Sequence, residues 1–303
     1  MVKAVLYTEE HRPALLALMG ESCEGSGDEK YLESLIAGSE RIWLAASAGG
    51  EFTGFCRVVP DEETRARRRA CMDLMYAGAG GGRHETGGAL IEAVRAYARE
   101  NDFDGIWGYF TEPLGRDHVE ATKGVLLREI RLLRIELDGE FPAPALPEGY
   151  RLRPLIPQED LVLASAIYND TFAEMWNFRP HAEEDIAHWF ESADTAPDDC
   201  FLLEYEGPGL SPGAGMAVLS VDAARVAGGD RVGYVPDIGV ARDHRRRGLG
   251  GALMAAMVGR AWAQGLSAVE LIVDDADPAA KAFYKSIGFE EMGKITVYEW
   301  KIP

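Results

Sequence analysis

Apolar positions recur along this chain at two spacings, and the alternation between them predicts two halves built in the same order. Apolar residues at alternate positions predict strands over 3–7, 41–47, 53–59, 70–76, 105–110 and 131–137. Recurrence at three and four residues predicts helices over 13–19, 88–99 and 118–129. The second half repeats the pattern. Strands are expected over 150–155, 200–205, 215–221, 234–240 and 268–273, with one or two more over 289–301. Helices are expected over 159–172, 183–191, 250–264 and 278–287, the last stopped by Gly288. Between the halves, Phe141-Pro-Ala-Pro-Ala-Leu-Pro147 has too few backbone donors and too fixed a φ to continue a helix or a central strand. The division read from this is 1–140, a linker over 141–147, and 148–303. Gly87-Gly-Ala-Leu90 and Gly250-Gly-Ala-Leu253 open the long helix in each half, which supports a duplication. The fold class expected is α/β, two tandem copies, each a mixed and mostly antiparallel sheet flanked by helices.

Composition changes this picture mainly through charge. The length of 303 residues suits two domains, and 47% hydrophobic with 27% charged residues is ordinary for a globular chain. Lys plus Arg number 31 against 50 Asp plus Glu, a net charge of −19. That balance argues against nucleic-acid and anionic-membrane partners, and mildly favours a cationic small molecule. Cys23, Cys56, Cys71 and Cys200 form no CxxC pair and have no His at ligand spacing, so neither a metal site nor a disulfide framework is expected. With no signal-like segment and no spanning run visible, the expectation is a cytoplasmic protein, monomer or homodimer.

The segment with the most chemical information is Asp237-Ile-Gly-Val-Ala-Arg-Asp-His-Arg-Arg-Arg-Gly-Leu-Gly-Gly-Ala-Leu253. A strand ends, a basic loop turns, and an amphipathic helix begins. Glycines let a backbone approach a ligand closely, and the opening N–H groups of a helix have no internal partners. Together they make an anion site, and Arg242, Arg245, Arg246 and Arg247 add positive charge in an otherwise acidic chain. The bland alternative is a solvated basic turn before a surface helix. A Rossmann loop would need GxGxxG directly after the strand, and a P-loop would need Gly-Lys-Ser/Thr; neither is present.

Arg245-x-x-Gly248-x-Gly250, between a strand ending Ile-Gly-Val and this helix, resembles the acetyl-CoA signature of the GCN5-related N-acetyltransferases (GNAT). A second block, Asp277-Pro-Ala-Ala280-Lys-Ala-Phe283-Tyr284-Lys-Ser-Ile-Gly288-Phe289, is similar to the family's Asn-x-x-Ala-x-x-Leu-Tyr-x-x-x-Gly-Phe. Asp stands for Asn, and Phe for Leu. The resemblance is strong over 148–303 and weaker before it, implying a tandem GNAT architecture like that of mycothiol synthase-type proteins. It implies that Ile238, Gly239 and Val240 line the pantetheine arm of acetyl-CoA, with the Val240 N–H polarising the thioester carbonyl. Amides of Arg245, Arg246, Arg247, Gly248, Leu249 and Gly250 would cradle the pyrophosphate. Asp277, Ala280 and Phe283 would border the cofactor, and Tyr284 would protonate the leaving thiolate. Asp237, the carboxylate on the strand before the loop, is the candidate general base, or else a group that only binds a cationic substrate. Tyr284 also has a plain reading, as a core aromatic. Trp176, Phe178 and Arg179 are expected either to wall the acceptor site or to staple their loop to the core.

Carried into the first half, the same alignment sets Glu85 at the Gly248 position, Gly82 at the Arg245 position and Leu126-Leu127 at Phe283-Tyr284. That copy is expected to be catalytically degenerate. The function expected is acetyl transfer from acetyl-CoA to a primary amine of a small molecule, by direct attack in a ternary complex. The alternatives are a peptide or protein N-acetyltransferase, and a non-catalytic acyl-CoA-binding sensor or interaction module.

Overall fold

The computed structural model describes residues 2–21, 29–78, 82–110, 116–139, 145–191 and 194–302. Cys23, Gly80, Gly81 and the 141–144 part of the expected linker lie outside the described residues. Two compact units are formed: Met1–Ile130 with Asp274–Ala276 and Gly293–Pro303, and Arg131–Val273 with Asp277–Met292. A single cut at the proline run therefore misplaces the tail from 293 onward, which packs with the first unit.

The first unit runs β1 (Lys3–Leu6), α1 (Arg12–Glu21), α2 (Glu29–Ala37), β2 (Arg41–Ala46), β3 (Phe52–Val59), α3 (Glu62–Ala66) and β4 (Arg69–Ala77). It continues with α4 (Arg83–Glu100), β5 (Gly105–Phe110), α5 (Arg116–Ala121) and the start of β6 (Val125–Glu136). Strands β1 to β5 lie in chain order, and residues 296–301 pair antiparallel with β5. The reason is packing: Trp300 is fully buried, and its indole N–H donates to Thr122 Oγ1 at 3.0 Å. The helix expected over 118–129 stops at Ala121. Lys123 takes φ 58°, Gly124 follows, and a Cβ on Gly124 would meet the Trp300 indole nitrogen at 2.8 Å. From Val125 the chain is strand, because Val125-Leu-Leu-Arg-Glu-Ile130 fits either periodicity and the turn decides between them. In the basic run at Arg65–Arg69, Arg68 pairs with Asp104 at 2.9 Å and Arg69 with Glu299 at 3.1 Å.

The second unit contains β7 (Tyr150–Pro154), α6 (Leu161–Phe172), α7 (Glu183–His188), β8 (Cys200–Tyr205), β9 (Gly213–Val218), α8 (Ala223–Ala227), β10 (Val232–Tyr234) and β11 (Ile238–Val240). Then come α9 (Leu249–Ala263), β12 (Ala268–Asp274), α10 (Pro278–Ser286) and the start of β13 (Glu290–Lys301). One sheet has the order β11-β9-β8-β7, all antiparallel; β10 instead pairs in parallel with β12. Apolar residues fill both sides. Leu253, Met254, Met257 and Val258 of α9 pack with Leu271, Tyr284 and Phe289. Ala164 and Ile167 of α6 and Ile186 of α7 pack with Cys200, Leu202, Met216 and Val218. Asp277 caps α10, its Oδ1 accepting from the Ala280 N–H at 2.9 Å, with Pro278 in the first turn where no donor is missed. Gly288, at φ 100°, ends that helix.

Candidate active site

Residues 234–240 read as one strand in sequence and form two in the structure. Tyr234 exchanges both backbone bonds with Ser220, at 2.8 and 2.7 Å, whereas Asp237 O accepts from the Val218 N–H at 2.8 Å. Three steps on one strand against two on the other make a β-bulge over Val235-Pro236-Asp237. Before it, β10 follows β12, as far as the Val235 N–H donating to Glu270 O at 2.9 Å. After it, Pro236 offers no donor and β11 stays with β9 alone. Only alternate residues of an antiparallel ladder face the partner strand. Gly239 faces Met216, and Ala241 donates to Ala214 O at 2.9 Å. The N–H groups of Ile238 and Val240 therefore turn away from β9, into the opening where β12 has parted.

The basic loop follows at once. Arg242–His244 forms a 3-10 turn, Arg245 is extended, and Arg246 (φ 65°) and Gly248 (φ 80°) are left-handed, with Gly248 capping α9. Glycine takes this conformation freely, while an arginine there costs on the order of 1 kcal/mol. The loop thereby presents the unpaired opening N–H groups of a 15-residue helix. Its arginines divide into two pairs. The Arg242 N–H donates to Asp170 Oδ2 at 2.7 Å, and Arg245 donates from Nε to Val240 O at 3.0 Å and from Nη2 to Thr171 O at 2.9 Å. These two hold the loop to the last turn of α6, where cations also suit the helix dipole. Arg246 and Arg247 are exposed and have no ion-pair partner among the described residues. Underneath, His244 is fully buried. Its Nε2 lies 3.0 Å from Ser211 O, so it must donate there, leaving Nδ1 to accept from the Tyr150 hydroxyl at 3.0 Å. No sequence signal marks this histidine as the anchor of the loop.

Tyr284 is 9% exposed, in the α9 core, with ring centroids 5.2 Å from Phe283 and 5.6 Å from Phe289. Burial, then the charge of Asp277, pushes its phenol up to about 12, so the ring carries its proton at neutral pH. Its hydroxyl makes no side-chain hydrogen bond among the described residues. Phe283 approaches the helix opening, where a Cβ on Gly250 would lie 3.7 Å from its ring. Leu249 is buried, and the Ala280 N–H is committed to Asp277. Asp277 thus holds a helix end through its carboxylate.

The opposite face of β11 belongs to α6. A Cβ on Gly239 would stand 2.0 Å from Thr171 Cγ2 and 3.4 Å from Phe172 Cζ, so this glycine is required by the helix above it. Asp237 shares that face, beside Val218 and Cys200. Its charge adds to the burial that pushes Tyr234 and Cys200 up to about 12. A wall of rings is centred on Tyr168 of α6: His181 at 4.1 Å, Phe172 at 4.7 Å, Trp189 at 5.7 Å and Phe178 at 6.3 Å. Phe178 is part of this wall, and Trp176 is half-buried nearby in sequence. Arg179 does not supply an uncommitted charge, because it pairs with Asp185 at 3.0 Å. Among the described residues no group of three or more His, Cys, Asp or Glu side chains is arranged to hold a metal. Cys56, Cys71 and Cys200 are free thiols, and no described helix is long and apolar enough to cross a membrane.

Residues 162–289 match the model of the acetyltransferase (GNAT) family, which spans the bulge, the loop and Tyr284. That region is a domain of this family, and the chain is an enzyme of the acyl-CoA-dependent N-acetyltransferase class. It is 27% identical to the mycothiol acetyltransferase of Streptomyces coelicolor, over 93% of this chain and 89% of that one. It is 28% identical to the mycothiol acetyltransferase of Thermobispora bispora, over 93% of each. Among solved structures, a GCN5-related N-acetyltransferase from Sphaerobacter thermophilus superposes with TM-score 0.75 at 19% identity, covering 99% of this chain and 96% of that one. A tandem GNAT protein from the clavulanic acid biosynthesis pathway gives 0.68 at 18% identity, covering 100% and 99%. These neighbours have the same fold along the whole chain, as two GNAT halves.

Proposed function

We propose that the chain transfers an acetyl group from acetyl-CoA to a primary amine of a small molecule, by direct attack in a ternary complex within the second unit. The observation that carries this reading is the parted strand: two backbone donors, on Ile238 and Val240, face an opening that leads to a helix start flanked by two unpaired arginines. A pantetheine arm is a chain of amides that can bond to such donors, and a pyrophosphate suits amides 245–250 with Arg246 and Arg247. The Val240 N–H then polarises the thioester carbonyl. Asp237 takes the proton of the attacking ammonium, directly or through water. The C–N bond forms, the C–S bond breaks, and Tyr284 meets the departing thiolate. A phenol raised to about 12 is a weaker acid than a thiol near ~8.5, so its contribution begins as a hydrogen bond to the developing charge.

Relatives named for mycothiol favour a small-molecule acceptor over a protein one. The same reading assigns the first unit a non-catalytic role. It retains a bulge, at Asp73, where β4 stops pairing with β5, but sets Glu85 in the first turn of α4 and supplies no phenol at the matching place. Free thiols and the absence of a spanning helix among the described residues suit a cytoplasmic enzyme.

The test is thiol release from acetyl-CoA with pooled amines: polyamines, aminoglycosides, amino sugars and the amine left when mycothiol loses an acetyl group. Tyr284→Phe should lower kcat by about 10- to 100-fold, with the KM for acetyl-CoA within about two-fold. CoA binding with no release above background in the wild-type protein overturns the reading in favour of a sensor.

A further inference from the structure

Two buried oxygens, one in the last turn of α6 and one in the loop after it, have no hydrogen-bond partner. Thr171 is 9% exposed, and its Oγ1 is buried and bonds to nothing, not even the carbonyl one turn back that a helical threonine ordinarily uses. Asn177 Oδ1, just past the same helix, is likewise buried and unpartnered, on a residue held at φ 62°. A buried hydroxyl left unpaired costs the free protein stability, and a bound ligand is one way to complete it. The position of Thr171 points to the ligand. The Thr171 methyl lies over Gly239, which sits two residues beyond Asp237 on the same face of β11, about 6.5 Å along the strand. A group bonded to Thr171 thus lies about one strand repeat, ~6.5 Å, from an amine at Asp237.

Resting on the acetyl-transfer reading above, we propose that Thr171, supported by Asn177, is an acceptor-binding and specificity-determining residue. The acceptor is a polar amine with a hydroxyl or second amino group close to the reacting nitrogen, not a simple alkylamine. The hydroxyl of Thr171 can donate or accept, whereas Asn177 Oδ1 accepts only, so the acceptor presents at least one N–H or O–H donor. Phe172 and the Tyr168 cluster contribute apolar walls and leave these oxygens to choose the substrate.

The experiment compares wild type, Thr171→Val and Thr171→Ser, with glucosamine, kanamycin and cyclohexylamine as acceptors and thiol release as the readout. Melting without ligand is measured alongside. Valine keeps the methyl over Gly239 and removes only the oxygen, so its melting temperature should equal or exceed that of wild type. Its kcat/KM for glucosamine or kanamycin should fall about 5- to 20-fold, the worth of one or two hydrogen bonds, with cyclohexylamine and the acetyl-CoA KM little changed. Serine should restore the polar acceptors. Asn177→Gly, which tolerates the left-handed φ, should lower kcat/KM for the polar amines without loss of melting temperature. The inference is overturned if valine leaves all acceptors unchanged, if it melts several degrees lower, or if wild type prefers cyclohexylamine. A wild-type enzyme silent with every amine sinks the acetyl-transfer reading itself, and this inference with it.

Discussion

Replacing Gly239 by alanine tests whether α6 presses directly on the strand that bears the candidate base. The added Cβ would stand 2.0 Å from Thr171 Cγ2, far inside contact distance. The helix above cannot move aside easily, because its last turn is tied to the basic loop through Arg242 and Arg245. Overpacking of this kind costs about 1–3 kcal/mol. Removing the Thr171 side chain beyond Cβ changes the balance. Thr171→Ala alone loses about 0.8 kcal/mol of methyl burial but also removes an unpartnered hydroxyl, leaving a net effect near zero. In the double variant the alanine methyl fills the space that Cγ2 vacates, and the next contacts, at 3.4 Å, are to Phe172 Cζ and Thr171 Cβ. Gly239→Ala should therefore lower the melting temperature by about 3–10 °C, while the double variant returns to within about 2 °C of Thr171→Ala. A double-mutant cycle on urea melts should report a coupling of about 1–3 kcal/mol. If the glycine substitution costs the same in both backgrounds, the close approach of α6 to β11 is wrong, and so is the placement of Thr171 beside Asp237.

Three further outcomes follow from the same geometry. His244→Leu strands the Tyr150 hydroxyl beneath the loop and should cost about 1–3 kcal/mol in urea melts, while weakening CoA binding by calorimetry. Arg246→Ala with Arg247→Ala should weaken CoA about ten-fold at low salt with little change in melting, whereas Arg245→Ala, which removes the side-chain bonds to Val240 O and Thr171 O, should lower melting as well. Burial raises Tyr284 and Tyr234 to about 12, while the unfolded phenols titrate near ~10, so the unfolded chain releases protons first. This contribution to stability is intact below pH ~10 and is lost as pH rises toward ~12, which melts across alkaline pH would show; Tyr284→Phe should flatten part of that fall.

The amino-acid order by itself determined which segments alternate and which coil, and with them the repeat of one fold, since these depend on local spacing. It also determined where the backbone would turn before α9, because glycines and arginines at fixed offsets leave few other conformations for the loop. It left open the segment from 125 to 130, whose residues fit both periodicities until the Trp300 indole and a left-handed Lys123 choose a strand. The five-residue helices α3 and α8 were equally illegible, having too few turns to show a period, whereas α2, with Leu32, Leu35 and Ile36 at helical spacing, was missed. At the site, residue types could not say what each side chain had already spent its bonds on. Only the tertiary structure decided that Asp277 caps a helix, that Arg242, Arg245 and Arg179 are engaged, and that Gly239 serves α6. For Arg242, Arg245 and Gly239 the partners lie far back in the sequence, on α6, and everywhere a carboxylate or guanidinium reads the same whether it is paired or waiting. The opening in the sheet was decided the same way, by one extra residue between Tyr234 and Asp237 that counts only against the register of a neighbouring strand.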